Sequence, residues 1–393
     1  MARWTILTCE YPPDCGGVGD YAAQVAAALV AAGDSVTVFC APRLYATSRI
    51  GMTGVDAAGV ELVVLDDTYG RTSRQKIDER LAGEPSTILV QYVPTGFGWR
   101  GANIPWCRWL LHRARRHGQD VHVMFHEPYF EFTWNPLRQN ALAVAERVMA
   151  KLLLRAASRV YLSTDAWRPY LAPHVPAGST LPFVTLPIPS SIPRCTRGPD
   201  IAERRRQLLG SSATRLVGHF GTFGEAFVPM LAASLPGLLS RGSCAAVCVG
   251  SGSDEFVRSV FDSMPVLRGR VHGTGRVPAA DAALLLSACD LLLQPYPDGV
   301  TTRRTSVMAG LHNARAVVTT RGHLTEAVWA DTGAVALAPA RDAESFVATA
   351  LTLLSEDGER AALAARGEKV YRERFALDHT IRALRGAVEG AAA

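Results

Sequence analysis

Two well-separated segments of the chain carry the residue types that could do chemistry. The loop Glu10-Tyr-Pro-Pro-Asp-Cys-Gly-Gly-Val-Gly-Asp-Tyr21 follows the first hydrophobic strand, and its glycines can bring bare backbone against a phosphate or a sugar. The segment Phe125-His-Glu-Pro128 ends a later strand with an imidazole and a carboxylate. Ligand crevices of open α/β sheets form at the carboxyl ends of strands. Together the two segments indicate chemistry on a phosphorylated, polar ligand.

The elements that must position these segments alternate regularly along the chain. Short β-branched runs, such as 87–92 and 121–126, are separated by helical patterns such as 106–117 and 140–157. A proline-rich stretch from Pro173 to Pro199 interrupts the alternation, which resumes with a strand at 215–220. The pattern predicts two α/β halves, each with a parallel sheet covered on both faces.

Length and composition agree with a folded protein of two domains. The chain has 393 residues, more than one core of usual size contains. It is 48% hydrophobic and 20% charged, which excludes a disordered chain. The formal net charge of +5 suits anionic small molecules or an acidic membrane surface. No basic stripe interleaved with aromatic residues predicts nucleic-acid binding, so we expect no such partner.

The cysteine pattern predicts a cytoplasmic protein with reduced thiols. The eight cysteines form no Cys-x-x-Cys pair, and several lie inside apolar strands, so we expect buried free thiols rather than disulfides. No cluster of metal ligands is apparent, and we predict no metal site. The chain enters a strand at its first residues, which argues against a signal peptide.

The ordered set of motifs resembles glycosyltransferase family 4. The resemblance rests on the Glu10–Tyr21 loop, Gln91-Tyr-Val-Pro-Thr-Gly-Phe-Gly, Phe125-His-Glu-Pro, Val249-Gly-Ser-Gly, His272-Gly-Thr-Gly-Arg-Val and the segment that begins Pro295-Tyr-Pro-Asp-Gly-Val-Thr-Thr-Arg-Arg. It implies the α/β GT-B fold, with two Rossmann-like domains whose parallel sheets face each other across a cleft. It also implies retaining, metal-independent transfer from a nucleoside-diphosphate sugar, with no cofactor. The acceptor would be a carbohydrate, a lipid-linked molecule or a small molecule.

We expect domain boundaries that follow this resemblance. Residues 1–185 would form the N-terminal, acceptor-side domain with the glycine-rich loop. Residues 200–375 would form the nucleotide-sugar domain. Residues 376–393 would form a C-terminal helix able to pack back on the N-terminal domain.

The resemblance assigns the glycine-rich loop to the donor and His126 to catalysis. The loop glycines Gly16, Gly17 and Gly19 would meet the donor phosphates, helped by the amino-terminal end of a helix that begins near Gly19. The alternative is a tight strand-to-helix turn for the glycines and a structural role for the histidine. The loop also matches the Gly-x-Gly-x-x-Ala dinucleotide fingerprint, but no acidic residue follows the next strand to hold a ribose.

Two motifs of the second half depart from the family pattern. The family has acidic residues eight positions apart, and here Asp298 stands in the first place and Ser306 in the second. The family also has an arginine and a lysine after the strand at 215–220, and neither is present. Because a buried diphosphate needs a cation, Arg303 and Arg304 are the candidates to supply it. The alternative is that both arginines belong to a solvated helix start.

The remaining site assignments follow the resemblance residue by residue. We assign Asp298 to catalysis with His126. The donor-binding residues would also include Gly221, Thr222, Arg276, Val277, Thr301, Thr302, Arg303, Arg304 and Ser306. The acceptor-binding residues would be Glu127, Tyr92 and Asp20.

One basic stretch with two tryptophans could contact a membrane. Trp106-Cys-Arg-Trp-Leu-Leu-His-Arg-Ala-Arg-Arg-His117 has helical spacing and could touch an anionic membrane or a lipid-linked acceptor. The alternative is a solvated helix face above a buried aromatic stripe.

Three other functions remain open at this point. A sugar-nucleotide epimerase of the same fold would use several carboxylates, where this chain offers Asp298. A sugar phosphorylase would need phosphate as the acceptor. A degenerate protein that binds a nucleotide-sugar without turnover would fit the missing Arg/Lys pair and the missing second carboxylate.

Overall fold

The structure is a computed structural model, and it describes residues 1–14, 16–42, 50–98, 101–134, 138–210, 213–225, 227–241 and 243–392. The chain forms two compact units. The first contains Met1–Pro187 together with the helix that starts at Leu377, and the second is Ile188–Ala376. The change of unit therefore falls within the proline-rich stretch.

The first unit contains an eight-stranded sheet in the order β3-β4-β2-β1-β5-β6-β7-β8. Its strands are β1 (Arg3–Thr8), β2 (Ser35–Cys40), β3 (Thr53–Val55), β4 (Glu61–Val64), β5 (Thr87–Tyr92), β6 (Val121–Phe125), β7 (Arg159–Leu162) and β8 (Phe183–Thr185). All neighbours pair in parallel except β3 and β4, which are antiparallel. The central strands β1, β5 and β6 are almost wholly buried, as the apolar runs predicted.

Helices connect these strands and cover the sheet. They are α1 (Gly17–Ala31), α2 (Arg71–Gly83), α3 (Ile104–His117), α4 (Arg138–Ala156) and the short α5 (Arg168–Leu171). The final helix of the chain, α14 (Leu377–Ala392), packs against α1. Arg385 of α14 forms an ion pair with Asp34, at 3.1 Å between Nε and Oδ2.

The second unit contains a six-stranded sheet in the order β11-β10-β9-β12-β13-β14, parallel throughout. Its strands are β9 (Arg215–Phe220), β10 (Cys244–Val249), β11 (Val271–Gly273), β12 (Leu291–Gln294), β13 (Ala316–Arg321) and β14 (Ala336–Pro339). Its helices are α6 (Gly198–Leu209), α7 (Val228–Arg241), α8 (Ser253–Ser263), α9 (Ala279–Ala288), α10 (Thr305–His312), α11 (Ala327–Thr332), α12 (Ala343–Ser355) and α13 (Asp357–Val370). Helix α13 continues through a π-helical turn, Tyr371–Phe375.

The two tryptophans of α3 do not form an exposed anchor. Trp106 is fully buried and stacks on Phe97, with ring centroids 4.2 Å apart. Trp109 donates through Nε1 to Asp78, which also pairs with Arg113. The buried aromatic stripe is therefore the correct interpretation of this helix.

The cysteines are free thiols wherever the structure describes them. Cys40, Cys107, Cys244, Cys248 and Cys289 are buried, in agreement with the sequence. The expectation of burial is wrong for Cys9 and Cys195, which are half-buried. Cys15 lies outside the described residues.

No helix in the described part of the chain is long and apolar enough to cross a membrane.

Candidate functional site

The glycine-rich loop of the first unit wraps around Glu10. Helix α1 starts at Gly17, two residues before the predicted start, and its first amides point at the Glu10 carboxylate. Oε1 of Glu10 accepts from the amides of Val18, at 3.1 Å, and Gly19, at 3.0 Å. An internal carboxylate therefore occupies the place where an anion is most favourable at a helix start.

Two glycines of this loop, Gly16 and Gly19, lie close against Glu10. A Cβ on Gly16 would lie 1.9 Å from Oε1 of Glu10, so only glycine leaves room for the carboxylate. A Cβ on Gly19 would lie 3.1 Å from the backbone of Glu10. Gly17 has nothing within 4 Å of the corresponding position. A donor phosphate can reach the amides of α1 only if Glu10 moves away.

His126 follows directly on β6 and is held by a buried glutamine. Its Nε2 lies 2.8 Å from Oε1 of Gln91, and both side chains are buried. Since an amide oxygen only accepts, Nε2 of His126 carries a proton. Its carbonyl accepts from Ser163 and Trp167. Gln91 therefore fixes the tautomer of the predicted catalytic histidine.

Tyr21 brings the glycine-rich loop and His126 together. It lies on the first turns of α1, and its ring meets the His126 ring edge-on, with centroids 5.2 Å apart. Its hydroxyl is hydrogen-bonded to Thr380 of α14. The loop, the histidine and the final helix thus meet at the carboxyl edge of the first sheet.

The predicted acceptor residues lie in three different environments. Glu127 is half-buried beside His126, and Asp20 is exposed on α1, where partial burial of its carboxyl and then the charge of Glu10 raise its pKa. Tyr92 is fully buried between Phe97 and Phe125, and burial raises the pKa of its hydroxyl. Strand β5 is buried on both faces, so Tyr92 lies in the core and we remove it from the acceptor assignment.

Asp298 of the second unit is bound by an arginine. Nη2 of Arg304 lies 2.6 Å from each carboxylate oxygen of Asp298, and Nη2 of Arg303 lies 3.7 Å from Oδ2. The guanidinium of Arg304 also sits 4.3 Å from the centre of the Tyr296 ring. All three charged side chains are mostly shielded from solvent. The solvated helix start is therefore not what these arginines form.

The neighbouring hydroxyls of Ser306 and Thr302 also form hydrogen bonds. Ser306 is hydrogen-bonded to the hydroxyl of Tyr296, at 2.5 Å, and burial raises the pKa of that hydroxyl. Thr302 donates its amide and its hydroxyl to the carboxylate of Glu326, at 2.6 and 2.8 Å. Thr301 is fully buried, and its hydroxyl has no hydrogen-bond partner in the described part of the chain.

The turn after β9 brings backbone and a buried histidine to the same strand end. The carbonyl oxygen of Gly221 would lie 2.1 Å from a Cβ on Gly250, so the two loops touch through bare backbone. Thr222 is exposed. Nδ1 of His219 lies 2.7 Å from the carbonyl of Leu293, and burial lowers the pKa of this histidine to about 4. The ring is therefore neutral, with its Nε2 as an acceptor.

The hydroxyl of Ser253 fixes the loop that contains Arg276 and Val277. Ser253 accepts from the amides of Thr274 and Gly275, at 3.2 and 2.9 Å. Arg276 is exposed, and Val277 packs against the core. Among the described residues, no group of three or more His, Cys, Asp and Glu side chains could hold a metal ion.

Residues 214–356 match the family model described as "Glycosyl transferases group 1". The matched stretch contains His219, Gly221, Asp298, Arg303 and Arg304. The match thus covers the strand ends that carry the polar cluster of the second unit.

The solved structures that resemble this chain cover almost its whole length. Sucrose-phosphate synthase from Thermosynechococcus elongatus is 14% identical, with a TM-score of 0.76, and the match covers 100% of this chain and 99% of that one. HepE from Anabaena, in complex with UDP and glucose, is 14% identical with a TM-score of 0.70, over 99% and 100%. WaaG, described as a glycosyltransferase involved in lipopolysaccharide biosynthesis, is 16% identical with a TM-score of 0.64, over 93% and 94%. No curated protein matches the sequence.

These comparisons support a glycosyltransferase. The α/β architecture with two parallel-sheet units is the GT-B fold, as the sequence predicted.

Sequence reasoning missed four residues that the structure places at these sites. They are Glu10, Gln91, His219 and Glu326. Gln91 gave a signal, because a glutamine inside the apolar strand 87–92 needs a buried partner. Glu326 gave none, since it contacts Thr302 from 24 residues further along the chain.

Proposed function

We propose that this protein transfers a sugar from a nucleoside-diphosphate sugar to an acceptor hydroxyl, with retention of configuration, as family 4 glycosyltransferases do. The observation that carries the proposal is the group 1 match, which includes the polar cluster around Asp298 at the strand ends of the second unit. The relatives whose titles name UDP or UDP-glucose support this class of donor. We propose no cofactor and no metal.

The second unit would bind the donor. The carboxylate of Asp298 would accept hydrogen bonds from sugar hydroxyls while Arg304 keeps it in place. Arg303 is the weaker partner of Asp298, at 3.7 Å, and its charge would serve the diphosphate. The amides of Gly221 and Phe223 already donate to the carbonyls of Val249 and Ser251, so backbone donors to the diphosphate would come from other residues of this turn. Such preorganised groups stabilise the charge that develops on the leaving diphosphate.

The first unit would bind the acceptor through His126 and Glu127. The hydrogen bond to Gln91 holds the ring of His126 in place, and the imidazole would contact the acceptor hydroxyl. The proton of the attacking hydroxyl would pass to the departing phosphate, so no strong protein base is required. We place the activity in the cytoplasm, since the described cysteines are free thiols. The proposal includes peripheral contact with a membrane if the acceptor is lipid-linked.

Thermal-shift measurements with UDP, GDP, ADP and dTDP test the donor site. A ligand at about 100 times its Kd stabilises the fold by about 2.7 kcal/mol, so one nucleotide should raise Tm clearly above the others. Incubation with the matching nucleotide-sugar should then release nucleoside diphosphate, and NMR of the sugar product should show the anomeric configuration of the donor. A chelator should leave the rate unchanged. Absence of a shift with any nucleotide would contradict the proposed donor site.

A protein that binds a nucleotide-sugar without turnover is the second candidate. It is favoured by the Asp298–Arg304 pair and the Ser306–Tyr296 bond, because both engage groups that would otherwise face a donor. A nucleotide-dependent rise in Tm with no release of nucleoside diphosphate would select this candidate.

A further inference from the structure

The segment after His126 presents aromatic side chains to solvent. Among the described residues ten large hydrophobic side chains are exposed, and five of them lie between residues 130 and 148. Three are the aromatic residues Phe130, Phe132 and Trp134, and Trp134 is 94% exposed. We call Phe130, Phe132, Trp134, Val144 and Val148 the apolar patch. Clustering of this kind marks an interaction surface, whereas scattered exposed residues do not.

Helix α4 holds the aromatic segment in a defined conformation. The amide of Phe130 donates to Glu146 at 2.7 Å, and Arg147 donates to the carbonyl of Phe130 at 2.8 Å. The guanidinium of Arg147 lies 4.2 Å from the ring centre of Tyr129 and 4.0 Å from that of Phe132. The rings are therefore exposed on a built framework rather than on a loose loop.

The same exposed face of α4 continues from apolar to basic. Val144 and Val148 are exposed, and Lys151 and Arg155 follow at helical spacing on that face. A residue rises about 1.5 Å along a helix, so the stripe runs roughly 17 Å from Val144 to Arg155. Apolar and basic side chains thus share one surface.

The two helices beside the apolar patch carry no exposed carboxylate, and Glu131, the exposed carboxylate within the aromatic segment, accepts a hydrogen bond from the hydroxyl of Tyr170 at 2.9 Å. Helix α3, which packs against α4, contains no aspartate or glutamate, and Arg108, Arg115 and Arg116 on it are exposed. The only carboxylate of α4 is Glu146, which is buried. Two adjacent helices therefore present positive charge with no exposed side chain of opposite sign on either.

We propose that the apolar patch and the basic stripe of α4 bind the surface of an anionic lipid bilayer. Aromatic and aliphatic side chains enter the boundary between headgroups and acyl chains, and Lys and Arg add roughly 1 kcal/mol each near an anionic surface. A protein partner that fits this surface would need a matching acidic face, whereas a bilayer supplies both properties at once. The patch begins four residues after His126, so docking would place the bilayer beside the unit that contains this buried histidine.

Vesicle sedimentation tests the proposal with the full-length protein. Vesicles of equal parts phosphatidylglycerol and phosphatidylcholine should sediment the protein, and vesicles of phosphatidylcholine alone should do so much less. The variant Phe132→Ser/Trp134→Ser should weaken binding at least about tenfold. The variant Lys151→Ser/Arg155→Ser should weaken it by about tenfold and reduce the preference for the anionic lipid.

Matched controls lie in the second unit. Val266 is 82% exposed, and Val266→Ser should leave binding unchanged. Arg204→Ser/Arg241→Ser removes two exposed positive charges from other helices and should also have little effect. Equal sedimentation with both vesicle types, or equal losses in the patch variant and in Val266→Ser, would overturn the proposal. So would a concentration-dependent dimer that the patch variant abolishes, since a second copy would then cover the patch.

Membrane binding and sugar transfer can fail independently. The patch variant should still bind nucleotide and hydrolyse UDP-glucose slowly in vesicle-free solution, if UDP-glucose is the donor. Loss of vesicle binding with retained nucleotide binding isolates the membrane surface from the donor site.

Discussion

Arg304 and Asp298 form a charge pair in which one guanidinium nitrogen lies 2.6 Å from both carboxylate oxygens. The pair sits beside Arg303 and above the ring of Tyr296. The charge of Arg304 is therefore engaged by a carboxylate six residues earlier in the chain.

Asp298→Asn should separate the two roles of this cluster. The amide keeps the size of the side chain but releases the charge of Arg304, so free UDP should bind more tightly, by about tenfold or 1.4 kcal/mol. Transfer or hydrolysis of the sugar should fall, because the carboxylate that would hold its hydroxyls is gone. Calorimetric titration with UDP measures the first effect and release of UDP from UDP-glucose the second. Arg241→Ala is the control for an exposed arginine of the second unit, and weaker UDP binding by Asp298→Asn would contradict this account.

Gly16→Ala and Gly17→Ala form a matched pair that tests the role of Glu10. A Cβ at position 16 collides with the Glu10 carboxylate, whereas one at position 17 meets nothing within 4 Å. Gly16→Ala should destabilise the fold by about 1 kcal/mol, the usual value of a lost helix N-cap. Gly17→Ala should be neutral or slightly stabilising, since it removes freedom from the unfolded chain. Urea denaturation measures both, and equal effects would show that Glu10 is not what position 16 must accommodate.

The sequence predicted the repeating elements of the fold well and its long-range contacts poorly. Strands 87–92 and 215–220 have the predicted bounds, and helix 106–117 ends where predicted, because apolar runs with clear breakers define them. Strand β8 was missed inside the proline-rich stretch, where local composition favours a connector. It exists because Phe183–Thr185 pairs with β7, a contact that no local pattern encodes.

The site residues show the same division. The position of His126 at a strand end followed from local pattern, whereas Asp298 was assigned through the family resemblance. Their hydrogen-bond partners lie at different separations along the chain. Gln91 is 35 residues from His126, whereas Arg304 is six residues from Asp298. The sequence named Arg304 but assigned it to the diphosphate. The structure shows that Arg304 is instead hydrogen-bonded to Asp298.

The buried His219 should make stability depend on pH. Its folded pKa of about 4 is below the ordinary value, so the unfolded chain binds the proton more readily between about pH 6.5 and 4. Stability should therefore fall as pH decreases through this window, by about 3 kcal/mol in total for this group. In His219→Asn the side-chain amide can still donate to the carbonyl of Leu293 but cannot be protonated. Urea denaturation near pH 7 and near pH 5 should show a smaller loss in this variant, whereas the exposed His323→Asn should behave like the parent protein. If His219→Asn loses as much unfolding free energy between pH 7 and pH 5 as the parent protein, groups other than His219 cause the loss of stability at low pH.

Gln91 and His126 should act as one unit in catalysis. Their side chains are 2.8 Å apart and buried, so replacing either one leaves the other without its hydrogen bond. We expect Gln91→Met and His126→Asn each to lower kcat/KM for sugar transfer by roughly tenfold or more, and the double variant to be little worse than either. Nucleotide affinity should stay unchanged in all three, because both residues belong to the first unit. The pair His126→Asn and Arg303→Ala should instead be additive, since the two residues lie in separate units. Additive losses in the Gln91–His126 cycle would show that the glutamine supports the fold alone and that the tautomer of His126 is set elsewhere.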